Sequence, residues 1–430
     1  MTRLPTIGPR TRLLVGITLL LFMASLFNDP PWKGYSRSRY VEFNAEPVRI
    51  AANLLRNGEF ANPFATMSTG PTAHIAPGLP SLQLAILRLC GDGAAGWLAL
   101  RCLPALALAL QFALLPWLAR ELGCHPWTGV LAAVFGLIVK PGLEDRWEAH
   151  IAGLLGLLLT AAACRWQTRH RPFYWAAVVG FLAALSIYFQ PVLGAIYGVW
   201  ILWCGRPFGF LSRRVLPLWL IPLALAAPWM VRGYTALGGI FPLRDNLGLE
   251  LYVSFNDCAP YGFRESLRTG CLARVHPNSS LGEASAVSTM GEYRYNQDRL
   301  RQALAWIGGH PAPAAALVLR RIWFFWLPSD RGWHGYFEQH FRMLALHFLT
   351  VFSFVGLYLG LRRGLAGAPL LALWMALFPL IYYAVQFEFR YRYPILWTTW
   401  LLAAYVFEPL SKTVIQGAGG FARRGKNRPA

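Results

Sequence analysis

The chain has 430 residues, of which 56% are hydrophobic and only 14% charged, and it contains 18 tryptophans. This composition excludes an ordinary soluble globular protein and is typical of a chain embedded in a membrane. Lys and Arg outnumber Asp and Glu by 40 to 20. In a soluble protein that excess would suggest nucleic acid, but here it follows the predicted membrane topology, so we predict no nucleic-acid partner.

Apolar segments long enough to cross a hydrocarbon core recur along the whole chain. We predict an all-α polytopic membrane protein with about ten transmembrane helices. The predicted spans are 13–27, 97–118, 127–139, 151–164, 173–189, 192–204, 215–231, 343–361, 366–385 and 395–407. The first segment is retained as an anchor, because no small-x-small cleavage site follows Phe27.

Basic residues cluster in the short connections, and such clusters stay on the cytoplasmic side of a membrane. They occur at 3–12, 120, 165–171, 206–214, 362–363 and 412–428. All lie on one side if the apolar segment 77–90, which is short for a span, lies at the outer interface. We therefore predict a multi-pass protein of the cell inner membrane with both termini in the cytoplasm.

This topology leaves three loop regions on the outer face: a first loop (28–96), a second loop (140–150) and a large loop (232–342). Residues 409–430 form a basic cytoplasmic tail. No linker or repeat divides the chain, so we predict a single membrane domain, 1–430. Residues 314–326 mix apolar residues with cations, as an interfacial helix does.

The distribution of the cysteines agrees with the predicted inner and outer faces of the membrane. Cys258 and Cys271 share the large loop, whereas most of the other cysteines lie in or beside the predicted spans. In an oxidising periplasm the two loop cysteines are expected to form a disulfide; two unpaired thiols are the alternative.

The polar groups suited to catalysis lie mainly in these outer loops. Glu46 follows the first span and opens a short amphipathic segment, and Glu148 directly precedes the fourth span. Two acids at one membrane depth suit a reaction that removes a proton from an acceptor hydroxyl. Arginines are suited to stabilise a phosphate leaving group, because the guanidinium group stays charged and can donate two hydrogen bonds to phosphate oxygens at once. The candidate arginines are Arg232, Arg244, Arg390 and Arg392.

Structural alternatives accompany these interpretations. Glu148 is also suited to stabilise the N-terminus of the following helix. Arg390 and Arg392, within an aromatic sequence, are equally suited to anchor a helix end at the interface. His74 is equally suited to pack its ring at the membrane interface without binding a substrate.

The order of several motifs resembles bacterial members of glycosyltransferase family 39, which belong to the GT-C class of polyprenyl-phosphate-sugar transferases. The matching positions are Glu46, Ile50-Ala51, Gly58, Phe60, Asn62-Pro63-Phe64, Thr69 to His74, Pro77, Pro80, Trp147-Glu148, Pro228-Trp229, Arg232, Arg244, Asn246, Gly248 to Leu251, His276-Pro277, Gly291-Glu292, Tyr295 and Arg390 to Pro394. The class includes protein O-mannosyltransferases and the lipid A aminoarabinose transferase.

The resemblance implies a GT-C-type fold and an inverting sugar transfer on the outer membrane face. The donor would be a polyprenyl-phosphate-linked sugar and the acceptor a hydroxyl group. Membrane lipids would be further partners, because they surround the helices. Glu46 matches the acid of the first loop and Glu148 the acid of the second. Glu42 competes with Glu46 for the first role, because relatives carry Asp or Asp-Glu there. We predict no cofactor and no metal; because some GT-C enzymes use a divalent cation, such an ion is the alternative.

Further polar residues are candidates for substrate binding: His74, Arg244, Asn246, Glu250 and Tyr391. Stabilisation of a turn explains Asn246 and Glu250 equally well. Outside the enzyme class, a transporter or lipid-linked-sugar flippase would also have many helices. Transporters, however, keep ionisable residues at mid-membrane, whereas the spans here are almost free of charge.

Overall fold

A computed structural model describes residues 9–28, 30, 32, 45–139, 141–142, 147–168, 172–328 and 337–409. Within these ranges the secondary structure is helical, with isolated bridges but no β-strand. The predicted all-α class is therefore confirmed. Glu42, residues 143–146 of the predicted second loop and nearly all of the predicted basic tail lie outside the described residues.

The helices are numbered in chain order over the described residues. They are α1 (Pro9–Asn28), α2 (Glu46–Asn57), α3 (Gly78–Cys90), α4 (Ala94–Glu121), α5 (Pro126–Val139), α6 (Ala149–Thr168), α7 (Pro172–Phe189), α8 (Leu193–Gly205), α9 (Leu216–Leu237), α10 (Leu247–Ser254), α11 (Phe263–Arg268), α12 (Leu272–Val275), α13 (Leu281–Met290), α14 (Glu292–Gly309), α15 (Pro311–Trp326), α16 (Phe337–Arg362), α17 (Ala368–Leu377), α18 (Leu380–Ala384) and α19 (Leu396–Val406). Short 3-10 helices cover Arg206–Phe208 and Phe389–Ile395.

Helices α4, α6, α9 and the His340–Arg362 part of α16 are long and apolar enough to cross a membrane. Shorter apolar helices coincide with other predicted spans, among them α5 and α7. The predicted span 366–385 is divided in two, because α17 ends at Leu377 and Pro379 precedes α18. Proline cannot donate the main-chain hydrogen bond that would continue the helix.

The apolar helices pack closely against one another. Helix α16 lies along α19, α7 along α9, and α1 along α4. Gly356 allows the first of these contacts, since a Cβ at that position would lie 1.9 Å from the carbonyl oxygen of Leu402. Small residues of this kind let membrane helices approach closely. The core that results is rich in buried tryptophan.

The large loop folds into helices α10 to α15 with a small core of its own. That core includes Leu249, Val275 and Tyr295, and it also takes in Phe64 from the first loop. A disulfide between Cys258 and Cys271 closes its edge, as predicted from the sequence. The first loop and the large loop are thus joined by shared apolar packing.

Arg321 ties the large loop to the membrane helices. Its guanidinium group donates to the carbonyl oxygens of Ala384 at 2.7 Å and Ser254 at 2.6 Å, and the residue has no exposed surface. The predicted interfacial helix 314–326 is present within α15. Arg321 does not extend to lipid headgroups as a cation of an interfacial helix would, because its side chain satisfies buried carbonyl groups instead.

Candidate active site

Glu46 is the first residue of α2 and is 7% exposed. Ala45 is extended and Pro47 fixes the first turn, so the chain enters the helix with the Glu46 side chain turned into the protein. Burial raises the pKa of the Glu46 carboxyl above its usual value. A hydrogen bond from its own main chain and the charges of Arg390 and Arg244 oppose that rise. The carboxyl group is therefore buried within electrostatic range of two arginines.

Arg244 connects the large loop to the first loop. Its Nε donates to the carbonyl oxygen of His74 at 2.7 Å, and its guanidinium lies 3.6 Å from the carboxylate of Glu250. Asn246 donates to the same Glu250 carboxylate at 2.8 Å. These contacts join four of the predicted substrate-binding residues, and two of them, Glu250 and Arg244, lie close enough to Glu46 to influence its pKa.

A tight turn in the first loop carries His74 to the site. Asn62 adopts a left-handed conformation with φ of 59°, and its side-chain oxygen accepts hydrogen bonds from the main-chain N–H groups of Thr69 and Gly70. This arrangement explains the Asn-Pro-Phe motif, because Phe64 then packs with its ring centroid 5.0 Å from that of His74. His74 is 3% exposed, and burial lowers its pKa well below 6.5.

His276 arrives from the large loop and lies next to the same ring. The centroids of His74 and His276 are 6.2 Å apart, and Phe64 contacts both. Burial lowers the pKa of His276 to about 4, so both imidazoles are neutral at pH 7. Possible ligand atoms of Glu46, His74 and His276 all lie within 4.8 Å of one another, a spacing compatible with a divalent cation.

Arg390 and Tyr391 lie in the first turn of the short 3-10 helix between α18 and α19, which packs against α6. The Arg390 guanidinium lies 3.6 Å from the ring centroid of Trp147, and Tyr391 stacks on Tyr382 at 4.7 Å. The second loop and the last connection thus meet beside Glu46, whose pKa the Arg390 charge lowers.

Arg392 has a different environment from Arg390. It is 3% exposed and donates to the carbonyl oxygen of Trp326 at 2.7 Å and to the hydroxyls of Thr350 at 2.7 Å and Thr399 at 3.3 Å. Burial lowers its pKa to about 9. The guanidinium is thereby occupied in joining α15, α16 and α19.

Arg232 is also engaged with the main chain. It donates to the carbonyl oxygens of Thr72 at 3.0 Å and Phe60 at 2.7 Å, and it lies over the rings of Phe60 and Trp229. Its contacts brace the turn that carries His74. That Arg232 and Arg392 bind the donor phosphate stays a prediction, and both have protein partners in the structure.

Glu148 directly precedes α6, and its main-chain oxygen accepts the hydrogen bond of Ala152. Its carboxylate lies within electrostatic range of Tyr382, which stacks on Tyr391. The second acid therefore lies at the same end of the helices as Glu46. The competing first-loop acid, Glu42, lies outside the described residues.

Sequence reasoning did not select several residues of this region. His276 and Phe64 appear within the motifs, but neither was predicted at the site, because nothing in a loop sequence indicates which rings will meet. Asp245 was also missed. Glu292 accepts from the hydroxyl of Thr72 and, at 2.6 Å, from the main-chain N–H of Ala73, so it fastens the His74 segment from behind.

Solved structures with the same architecture are archaeal oligosaccharyltransferases. AglB from Archaeoglobus fulgidus, in complex with an inhibitory peptide and a dolichol-phosphate, aligns with a TM-score of 0.57 and 14% identity over 95% of this chain and 52% of that one. The chain has the GT-C fold. It spans about half the length of that protein.

Two further structures of the A. fulgidus enzyme match. One is tethered to an acceptor peptide containing the NVT sequon, with a TM-score of 0.56, 13% identity, and coverage of 93% of this chain and 50% of that one. The other is in complex with Zn and sulfate, with a TM-score of 0.50, 14% identity, and coverage of 92% and 49%. No protein-family model and no curated protein matches the sequence. The GT-C class predicted from the motifs is thus confirmed at the level of the fold.

Proposed function

We propose that this protein is an inverting glycosyltransferase that moves a sugar from a polyprenyl-phosphate donor to an acceptor hydroxyl of a glycolipid, glycan or protein. The reaction takes place at the outer face of the inner membrane. The observation that carries the proposal is the buried Glu46 carboxyl, which lies within electrostatic range of Arg390 and Arg244 where the first loop, the large loop and the 389–395 segment converge.

Glu46 acts as the general base. As the acceptor oxygen bonds to the anomeric carbon, its proton passes to the Glu46 carboxylate, and the bond from the anomeric carbon to the phosphate oxygen breaks. The electrons of that bond leave with polyprenyl phosphate. A raised pKa suits a general base, because it strengthens the carboxylate as a proton acceptor.

Arg390 and Arg244 stabilise the departing phosphate. Both are close enough to influence the Glu46 charge, and the planar guanidinium group matches phosphate oxygens geometrically. Arg392 and Arg232 hold the segments that carry Arg390 and His74, through the contacts described above. Glu148 and Tyr391 orient the substrate from the second loop and the last connection, and Asn246 and Glu250 do so from the large loop.

Replacement of Glu46 tests the base directly. Glu46→Gln keeps the shape of the side chain but removes its proton-accepting charge, so transfer should fall by roughly 10²-fold or more. The measurement is release of polyprenyl phosphate from undecaprenyl-phosphate-linked sugars in vesicles, together with mass spectrometry of envelope glycans from cells with and without the gene. Glu59→Gln, an exposed acid just beyond α2, is the matched control and should be unaffected.

The same assay separates the transferase from a flippase. A flippase would move the donor across the bilayer without cleaving its sugar-phosphate bond, so no polyprenyl phosphate would appear. Full activity in the Glu46→Gln protein would remove Glu46 from the role of base. Absence of any glycan difference and of any phosphate release would contradict the proposed function itself.

A further inference from the structure

The connection between α8 and α9, residues 206–215, lies at the opposite end of α9 from the candidate active site. Arg232, towards the far end of α9, contacts the turn that carries His74, whereas α9 begins at Leu216 directly after the connection. The connection combines exposed apolar side chains with arginines. We propose that it binds the headgroup of an anionic phospholipid in the membrane leaflet at this end. This site does not depend on the proposed sugar transfer.

The first observation is the exposed apolar surface of the connection. Phe208 and Phe210 are exposed, and Leu211 is 80% exposed. A contiguous apolar surface of this kind marks a place where a membrane or a protein binds. The surface continues onto the neighbouring helices, where Trp203 of α8 and Leu220 of α9 are also exposed. Because the exposed apolar faces of membrane helices contact lipid, the connection continues a lipid-facing surface.

The second observation is that the connection has a fixed backbone. Trp219 Nε1 donates to the carbonyl oxygen of Phe210 at 2.8 Å, and Trp166 Nε1 donates to that of Arg214 at 3.2 Å. Gly209, with φ of 76°, turns the chain between these two contacts and the end of α8. Tryptophan is enriched at the membrane interface, where its indole N–H finds a polar partner. The exposed side chains are therefore presented on a backbone that is already ordered before a ligand binds.

The third observation is positive charge without a counterion from the protein. Arg206 and Arg213 are exposed, and residues 149–244 contain no Asp or Glu. The carboxylate of Glu121, at the same end of the helices, is bridged to Arg165 at 2.9 Å. Within the described part of the chain, neither arginine of the connection forms an ion pair. Their charge is thus available to an anion from outside the protein.

Arg214 adds a third cation in a defined orientation. Its guanidinium carbon lies 4.2 Å from the ring centroid of Phe208, so the ring covers one face of the group. Its Nε has no hydrogen-bond partner among the described residues. Guanidinium N–H groups lie in the plane of the group, where phosphate oxygens accept from them in pairs.

The mixture of side chains indicates which ligand is bound. A phospholipid offers phosphate oxygens to the arginines and acyl chains to Phe210 and Leu211 at the same time. A free phosphate would leave the apolar side chains in water. A zwitterionic lipid carries the same phosphate, but its own ammonium group already balances that charge. Basic clusters at the ends of membrane helices bind anionic lipids for this reason, so phosphatidylglycerol represents the expected ligand class.

Lipid binding is measured on the full chain by native mass spectrometry. Delipidated protein in detergent is mixed with equal amounts of phosphatidylglycerol and phosphatidylcholine that carry identical acyl chains, so that only the headgroups differ. We expect phosphatidylglycerol to be retained preferentially. The Arg206→Gln/Arg213→Gln protein should show a preference lower by roughly tenfold or more, since each basic residue at an anionic surface contributes about fivefold.

A matched variant shows whether this loss is local. Arg274→Gln/Arg294→Gln removes the same charge from two exposed positions in the large loop. It should retain phosphatidylglycerol as the unaltered protein does, because both positions lie away from the α8–α9 connection. Equal losses in the two double variants would show that net charge, rather than this site, determines the preference.

A spin label at Leu211 measures contact with the bilayer without removing an arginine. In a chain whose free cysteines have been replaced, Leu211→Cys carries a nitroxide and the protein is placed in vesicles containing phosphatidylglycerol. The label should collide with oxygen, which dissolves in lipid, more often than with a water-soluble nickel chelate. Ala273→Cys is the reference, because Ala273 is exposed in the large loop and its label should show the reverse.

Three outcomes would overturn the proposal. One is equal retention of the two lipids by the unaltered protein, or a preference that survives in the Arg206→Gln/Arg213→Gln protein. Another is displacement of phosphatidylglycerol by millimolar inorganic phosphate, which would identify a free anion as the ligand. The third is a Leu211 label as accessible to the nickel chelate as the Ala273 label, which would indicate a protein partner in water. None of these readouts measures sugar transfer, so the proposed function stands or fails separately.

Discussion

Glu292 and Asp245 show how burial alters individual side chains next to the candidate site. Burial raises the pKa of Glu292 to about 8, and raises that of Asp245 to about 7. Glu292 holds Thr72 and Ala73 through its carboxyl oxygens, and the N–H of Asp245 donates to the carbonyl of Ala73. Glu292 through its carboxyl group and Asp245 through its main chain therefore both hold the segment that carries His74.

This burial predicts a pH-dependent stability. Between about pH 4.5 and 8 the folded protein binds a proton at Glu292 that the unfolded chain releases, so stability falls as pH rises through this window. Glu292→Gln removes the titration while keeping a similar shape. We expect the melting temperature of the unaltered protein to drop from pH 6 to 9 more than that of the variant. Glu59→Gln should follow the unaltered protein, and equal pH slopes for all three would contradict the assignment.

At the scale of the elements, the contact between α10 and α14 positions Asn246 and Glu250. Gly248 lies against α14 so closely that a Cβ would come within 1.9 Å of the carbonyl oxygen of Asn296. Asn296 also accepts from the N–H of Leu249 and donates to the carbonyl of Asp245. The glycine in the motif is thus required by backbone contact between two loop helices.

Gly248→Ala should therefore separate these helices. We expect a loss of roughly 1–3 kcal/mol in the free energy of unfolding, as is usual for overpacking, and weaker substrate binding. Gly282→Ala in α13 is the control, because a Cβ there meets only Ser280 Oγ at 3.9 Å. Thermal unfolding of the two proteins measures the difference, and a Gly248→Ala protein as stable as the control would show that the helices adjust freely.

At the scale of the whole molecule, all loops that build the site meet at one end of the apolar helices. The basic pair Arg362-Arg363 lies at the end of α16. From the positive-inside rule we predict that this end of α16 faces the cytoplasm and that the site lies on the outer face.

Accessibility of single cysteines tests this orientation. In a chain whose free cysteines have been replaced, His310→Cys should react with a membrane-impermeant maleimide in intact spheroplasts. Arg363→Cys should react only after permeabilisation. Both positions are exposed in the protein, so failure to react reflects the membrane rather than burial. The reverse pattern would place Glu46 on the cytoplasmic side and contradict the proposal that the reaction takes place at the outer face.

Sequence alone determined the helical class and the positions of most apolar helices, because a run of apolar residues must be buried in lipid or protein whatever its neighbours are. It also predicted the Cys258–Cys271 bridge, since the two cysteines lie close together in the chain. The break at Pro379 was missed because the surrounding residues remain apolar on both sides.

Only the tertiary structure decided which polar groups face one another. Arg390 and Arg392 are two residues apart and look equivalent in sequence, yet one lies over Trp147 near Glu46 and the other is buried among carbonyl and hydroxyl oxygens of α15, α16 and α19. His276 meets His74 only because the large loop packs on Phe64. Such contacts, and the pKa shifts that follow from them, depend on how segments distant in the chain pack and bury side chains. No local pattern of residues specifies that packing.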